Sequence, residues 1–144
     1  MPAVRDILAR KGVETVTVAP TVTVLEAAQI MNARGIGAVL VLAEGELVGI
    51  FTERDLMRRV VAEQRDPSST PVADVMTRHL VTTRADITVE ECASQMTARR
   101  IRHLPVIGEA GLAGVITIGD LLAWQVAEQA VTIAQLNSFV YDNR

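Results

Sequence analysis

The hydrophobic and polar positions of the chain form short segments whose period changes repeatedly between helical and extended. Residues 3–10 place apolar side chains at helical spacing, and Gly12 follows them, which predicts a short helix that ends there. Residues 14–18 then alternate polar and β-branched side chains, which predicts a strand that closes before Pro20.

Two longer helical patterns begin in the same way. Thr23 and Thr88 each precede an apolar stripe and have Glu26 and Glu91 three residues later, which is typical of a helix N-terminus. We expect the inward stripes to recur at i, i+4 and i+7, as Val24, Ala28, Met31 and Val89, Ala93, Met96. Gly35 is expected to end the first of these helices.

Short runs that are apolar on both faces follow each of these helices. Residues 38–42 and 47–51 form one pair of runs, and residues 103–107 and 112–116 form another. Such runs predict strands covered on both sides. Because the second run of each pair leads directly into another helical pattern, each unit is predicted to be βαββα. The first of these patterns predicts a helix over residues 53–63 with Leu56, Val60 and Val61 on its inner side.

The two units are copies of each other. Residues 21–57 align with residues 86–122 at a shift of 65 positions without a gap, and the alignment contains 15 identities. Upstream the correspondence continues with a three-residue slip that matches residues 5–8 to residues 73–76. The chain is therefore predicted to divide into repeat 1, a linker, repeat 2 and a helical extension, at residues 3–63, 64–71, 72–125 and 126–144.

Each copy contains the same strand-to-helix corner. Gly49 and Gly114 open the motif, and Thr52 with Asp55, or Thr117 with Asp120, closes it. The threonine and aspartate are typical of helix capping, which contributes about 0.5 to 2 kcal/mol. Alternatively, the free N–H groups and the helix dipole attract a phosphate while the carboxylate binds a ribose diol. The local pattern leaves both interpretations open, and the duplication favours the second.

Composition narrows the function classes. The chain has 144 residues, of which 49% are hydrophobic and only 3% aromatic, and its net charge is −3. Aliphatic side chains must therefore fill the core, and nucleic acid is a poor partner for so acidic and non-aromatic a chain. No apolar run approaches the roughly 18 residues of a membrane span, so we expect a cytoplasmic protein. Cys92 lies on a predicted apolar face and is interpreted as a buried thiol, and no spacing suggests a metal site.

The doubled corner, together with the segment Ile101-Arg-His-Leu-Pro-Val106, resembles a tandem cystathionine-β-synthase (CBS) domain pair, or Bateman module, over residues 3–125. The resemblance implies an α/β fold in which two βαββα repeats pack by pseudo-two-fold symmetry into one module with two clefts. It also implies regulatory binding of adenosine derivatives such as AMP, ADP, ATP, NAD-type dinucleotides or S-adenosylmethionine, with a role in energy sensing. A homodimer of pairs and a regulated protein partner are further expectations.

The resemblance assigns ligand contacts residue by residue. Aspartates of the motif match ribose ligands, its threonines lie near ribose or phosphate, the Arg-His pair faces phosphate, and strand residues contact adenine. Because Gly37 and Ala38 replace the Arg-His pair in the first copy, we expect unequal clefts, with the second the better phosphate binder. The candidate ligand-binding residues are Thr17, Thr52, Arg54, Asp55, Thr82, Arg102, His103, Pro105, Thr117, Gly119 and Asp120.

The preferred hypothesis is a non-catalytic sensor module that needs no cofactor and binds an adenine nucleotide as regulatory ligand. An enzyme is disfavoured because His79 and His103 are the only histidines and no nucleophile is paired with a base. The alternative is a structural dimerisation scaffold with empty clefts, in which the Thr and Asp side chains only cap helices.

Overall fold

The computed structural model of the protein describes residues 1–12 and 15–142. Helices and strands alternate along these residues, and the order agrees with the duplicated pattern. The helices are α1 (Val4–Lys11), α2 (Val24–Arg34), α3 (Glu53–Asp55), α4 (Val89–Arg99) and α5 (Ile118–Asp142). The strands are β1 (Thr17–Val18), β2 (Ala38–Ala43), β3 (Glu46–Thr52), β4 (Thr83–Arg84), β5 (His103–Gly108) and β6 (Gly111–Thr117).

Two three-stranded sheets carry the repeats. One has the order β1-β2-β3 and the other β4-β5-β6. In each sheet the short first strand is parallel to the middle strand, with Thr17 opposite Leu40 in one and Thr83 opposite Val106 in the other. The mixed α/β fold with two similar sheets confirms the fold class that the sequence predicts.

Side-chain caps begin the two long repeat helices. Thr23 Oγ1 accepts the N–H of Glu26 at 3.1 Å, and Thr88 Oγ1 accepts that of Glu91 at 3.0 Å. The helices end at left-handed residues, Gly35 with φ 63° and Arg100 with φ 54°. These contacts confirm the predicted helix starts and the stop at Gly35.

The buried faces of these helices differ slightly from the prediction. Ala27 and Cys92 are fully buried, whereas the predicted Ala28 and Ala93 are half-buried. The inward stripe therefore follows i, i+3 and i+7, as Val24, Ala27, Met31 and Val89, Cys92, Met96.

Two further elements are shorter than predicted. Strand β1 has only two residues of the predicted 14–18, and Glu14 lies outside the described residues. The predicted helix at 53–63 is an α-helical turn that continues as a π-helix over Leu56–Val61. Val61, which the pattern places on the inner side, is 65% exposed, because the wider π-helical turn ends at this residue and changes the direction of its side chain relative to an α-helix.

The described residues divide into two compact units. The first, which we call the α5 unit, comprises α1, β4, α4, β5, the part of β6 from Ala113 onward, and α5. The second, which we call the α2 unit, extends from β1 to Thr82 and also includes residues 109–112. Helix α1 thus belongs with the sheet of the second repeat. Its counterpart, a 3₁₀ turn at Val72–Asp74, belongs with the sheet of the first. The repeat boundaries read from the sequence are a different division and stay a prediction.

We call the segment that contains α1 and the segment that contains the 3₁₀ turn the exchanged segments, because each belongs with the sheet of the other repeat. Each has a side chain in close contact with a glycine of that sheet. A methyl group at Gly49 would lie 2.5 Å from Met76 Sδ, and one at Gly114 would lie 2.8 Å from Leu8 Cδ2. The glycines that open both corner motifs are therefore where each segment contacts its strand, and Leu8 and Met76 are the residues that the three-residue slip aligns. In the α2 unit this contact adjoins an aliphatic cluster around Phe51, Val60 and Val72.

We expect Gly114→Ala to lower the free energy of unfolding by about 1 to 3 kcal/mol, because Leu8 must move from a packed position. The measurement is urea denaturation followed by circular dichroism. The matched control is Gly119→Ala, whose methyl group would meet only Thr117 Oγ1 at 3.6 Å. Equal stability of the two variants would contradict the packing role of Gly114.

Candidate functional site

The corner of the α2 unit is closed by reciprocal hydrogen bonds. Asp55 Oδ2 accepts the N–H of Thr52 at 3.0 Å, and Thr52 Oγ1 accepts that of Asp55 at 3.2 Å. The Thr77 hydroxyl donates to Asp55 Oδ1 at 3.0 Å, and Arg59 Nε lies 3.8 Å from the same oxygen. Asp55 is only 5% exposed, so its carboxylate is buried with both oxygens engaged.

The corner of the α5 unit has the same cap but a different third partner. Asp120 Oδ2 accepts the N–H of Thr117 at 2.9 Å, and Thr117 Oγ1 accepts that of Asp120 at 3.0 Å. Lys11, the last residue of α1, places its Nζ 2.7 Å from Asp120 Oδ2. The Asp120 side chain is 19% exposed, so this carboxylate remains accessible to solvent.

Lys11 and Thr77 perform equivalent tasks in the two repeats. The Thr77 N–H donates to Ile50 O at 2.8 Å and its hydroxyl to Asp55. Lys11 Nζ alone donates to Val115 O at 2.9 Å and to Asp120. Ile50 and Val115 are separated by the 65-residue shift of the repeat, so one ammonium group replaces an amide and a hydroxyl. Each corner has one cationic side chain near its carboxylate, but at Asp120 the ammonium group of Lys11 is itself the hydrogen-bond donor, whereas at Asp55 a hydroxyl donates and Arg59 lies 3.8 Å away.

Neither Lys11 nor Thr77 was among the candidates from the sequence. The three-residue slip aligns Thr77 with Ala9, so a residue-by-residue comparison of the copies does not pair it with Lys11. A search for donors within one helical turn of the aligned Leu8 and Met76 would have found both.

The remaining candidates of the α5 unit surround the start of α5. Arg102 is exposed, and its carbonyl accepts the N–H of Ile118 at 3.1 Å. His103 is half-buried as the first residue of β5, and Pro105 is buried inside that strand. Gly119 is exposed in the first turn of α5, where helical geometry leaves its N–H without an intrahelical partner.

The candidates of the α2 unit are more dispersed. Thr17 is exposed on β1, and Arg54 is exposed in the first turn of α3. Thr82 is exposed immediately before β4 rather than within a strand. The structure brings Thr52 and Asp55 together in the cap, and their binding roles stay a prediction.

The described part of the chain lacks the features of a metal site, a reactive thiol or a membrane-spanning helix. No group of three or more His, Cys, Asp or Glu side chains there is arranged to hold a metal ion. Burial raises the pKa of the Cys92 thiol to about 11, which disfavours the nucleophilic thiolate. No described helix combines the length and hydropathy needed to cross a bilayer.

Comparison with known proteins identifies the family to which both repeats belong. The family model for the CBS domain matches the chain twice, at residues 4–62 and 72–127. The chain belongs to the CBS domain family. The CBS domain-containing protein YhcV of Bacillus subtilis is 33% identical over 137 residues, which are 95% of each chain.

Solved structures of CBS proteins are also similar. The CBS-domain containing protein ATU1752 from Agrobacterium tumefaciens is 40% identical, with a TM-score of 0.80 over 85% of this chain and 98% of its own. The CBS domain pair of protein MJ0100, solved in complex with 5-methylthioadenosine and S-adenosyl-L-methionine, is 25% identical. Its TM-score is 0.78 over 89% of this chain and 98% of its own.

The two caps should differ in their contribution to stability. We expect Asp55→Ala to cost about 3 kcal/mol, since it removes a cap and leaves the Thr77 hydroxyl without its acceptor in a partly buried site. Asp120→Ala should cost about 1 kcal/mol, because its cap and its ion pair are partly solvated. Urea denaturation midpoints at unchanged m-value measure the difference. A larger loss in Asp120→Ala would contradict this description of the corners.

Proposed function

We propose that this CBS domain pair is a non-catalytic regulatory module that binds an adenosine derivative at the corner formed by Thr117 and Asp120. The observation that carries the proposal is the hydrogen bonding of Asp120. Its Oδ2 is engaged by Thr117 and Lys11, whereas Oδ1 accepts no hydrogen bond from the described residues. An accessible carboxylate oxygen is the acceptor that a ribose diol requires.

The charge around this corner favours a ligand that carries phosphate. Lys11 supplies an ammonium group, the first turn of α5 supplies the positive end of a helix dipole, and Arg102 is exposed next to His103. A nucleotide such as AMP, ADP, ATP or an NAD-type dinucleotide suits these donors better than the sulfonium of S-adenosylmethionine. The complex of MJ0100 with two adenosine derivatives supports this general class of ligand.

The Asp55 corner is proposed as the weaker site. Its carboxylate is buried and already accepts from Thr52 and Thr77, so a ligand must displace a native hydrogen bond. Thr17 and Thr82 remain proposed contacts to an adenine, through hydrogen bonds from their backbone groups. Pro105 remains a proposed ligand contact of the α5 unit.

The regulatory output is proposed to pass through a homodimer of domain pairs or a protein partner. A ligand shifts a conformational equilibrium only through its different affinities for two states. Lys11 joins α1 to the candidate site, so displacement of its ammonium group by a ligand would change the packing of that helix. Energy sensing is the corresponding function if adenine nucleotides compete for the corner.

We expect Asp120→Asn to weaken nucleotide binding by about 10- to 100-fold, because a charged acceptor for the ribose diol is lost. Isothermal titration with AMP, ATP, NADH and S-adenosylmethionine measures the effect. Glu128→Gln is the matched control, since it removes an exposed carboxylate from the same helix away from the corner. Equal binding by Asp120→Asn and Glu128→Gln, or no binding of any ligand to the native chain, would contradict the proposal.

Lys11→Met separates two roles for the ammonium group. If Lys11 contacts phosphate, the variant should lose about 10-fold in affinity for AMP and keep its affinity for uncharged 5-methylthioadenosine. If the ammonium group only competes with the ribose for Asp120, the variant should bind both ligands more tightly. The second result would overturn the proposed preference for phosphate.

A structural dimerisation scaffold is the second candidate, and one observation favours it. Both Thr-Asp pairs form complete caps, so helix capping accounts for these residues without a ligand. Thermal melting with and without nucleotide distinguishes the candidates, because a ligand that binds only the folded chain raises its melting temperature. An unchanged melting temperature at millimolar nucleotide favours the scaffold.

A further inference from the structure

The second half of α5 extends away from the packed part of its unit. Among the described side chains of α5, Leu121 and Trp124 are the last that are buried, and Arg10 lies over the Trp124 ring at 4.1 Å. Beyond Trp124, every described side chain as far as Val140 is exposed except the half-buried Ala127. Tertiary packing supplies most of the stability of helices in proteins, and the described side chains of this segment gain little of it from their own unit.

Five of the six exposed large apolar side chains described from Leu122 onward form a single stripe, and Val131 lies outside it. They lie at positions 122, 126, 133, 136 and 140, with Gln129 completing an alternating spacing of four and three residues. At about 100° per residue these six positions fall within roughly 40° of one line along the helix. The exposed fractions are 56% for Leu122, 64% for Val126, 58% for Ile133, 59% for Leu136 and 56% for Val140.

The spacing is a coiled-coil heptad, and the residue types indicate the partner. Val126, Ile133 and Val140 take the a positions, while Leu122, Gln129 and Leu136 take the d positions. β-Branched residues at a with leucine at d favour two parallel strands, and a polar core position favours one register. The sequence of the stripe is therefore suited to a second copy of itself.

The distribution of charged residues along α5 also favours a second copy of the same helix as the partner. Between residues 121 and 141 only Glu128 is charged, and it lies at a c position, well away from the stripe. The residues that border the stripe are neutral, so two copies meet no repulsion and a charged partner finds no complementary group. Membrane-surface helices carry Lys or Arg on their polar face, and this segment has none.

The available area is sufficient for a specific pair. Five large side chains, each more than half exposed, offer on the order of 100 Å² apiece, so two copies bury about 1,000 Å² in total. That value lies at the lower limit for a stable interface, which suits an exchangeable dimer.

We propose that residues 122–140 of α5 pair with the same segment of a second copy as a parallel, in-register, two-stranded coiled coil. This inference makes specific the pairing of chains proposed above, and it is independent of nucleotide binding. Parallel pairing places the N-termini of both α5 helices, and hence both Thr117 and Asp120 corners, at the same end of the coiled coil.

Val126→Glu and Val131→Glu form a matched test of the stripe. Both valines are exposed on α5, but Val131 lies on the opposite side of the helix from the stripe. Sedimentation equilibrium should show a dimer for the native chain and for Val131→Glu, and for Val126→Glu an association weakened by about 100-fold or more. Circular dichroism and the melting temperature establish that both variants are folded.

The orientation is tested by oxidation of single cysteine variants. Leu136→Cys should form an intermolecular disulfide in high yield, since in-register d positions face each other, and Val131→Cys should not. The native Cys92 is fully buried and serves as an internal control. A native monomer at 100 µM overturns both the pairing and this interface. A dimer that survives in Val126→Glu, or that fails to cross-link through Leu136→Cys, overturns the parallel coiled coil alone.

Discussion

The carboxylate that closes each strand-to-helix corner is the interaction on which the rest of this structure depends. A strand that turns directly into a helix leaves the first amide groups of that helix without partners. Thr52 with Asp55, and Thr117 with Asp120, satisfy those amides within three residues and require no loop. Both oxygens of Asp55 accept hydrogen bonds, whereas among the described residues only Oδ2 of Asp120 does, so the duplicated motif forms two corners with different hydrogen bonding.

The difference between the corners arises outside the repeated motif. Thr77 and Lys11 belong to the segments that the two units exchange, and each reaches the carbonyl at the equivalent strand position. In the buried corner the third hydrogen bond comes from a neutral hydroxyl, with Arg59 nearby, whereas in the accessible corner it comes from an ammonium group. The duplicated motif is thus present in both copies, while the exchanged segments supply it with different donors.

The sequence predicted the fold well because its signals were local and present twice. Threonine caps, Gly35 and the apolar runs each depend on neighbouring residues, and they place the helices and sheet strands correctly. The π-helix after Asp55 and the short β1 depend on packing and could not be read from periodicity. The burial of Asp55 was missed for the same reason, since its third partner, Thr77, is 22 residues away in the chain.

The sequence identified only some of the residues that meet at the candidate site. It singled out Thr117 and Asp120, which the structure brings together in one cap, but it did not single out Lys11. The expectation of two unequal clefts, which rests mainly on Arg102 and His103, stays a prediction. Lys11 contacts Asp120 across 109 positions of sequence, and no local pattern reports such a contact.

The exchange of segments between units also imposes an order on biosynthesis. The α2 unit is built largely from one continuous stretch that ends at Thr82, so almost all of it emerges from the ribosome early. Helix α1 precedes the strand that receives Leu8 by more than one hundred residues. Its apolar face, including Val4 and Ile7, which are buried in the folded unit, therefore stays uncovered in the nascent chain until that strand has been made.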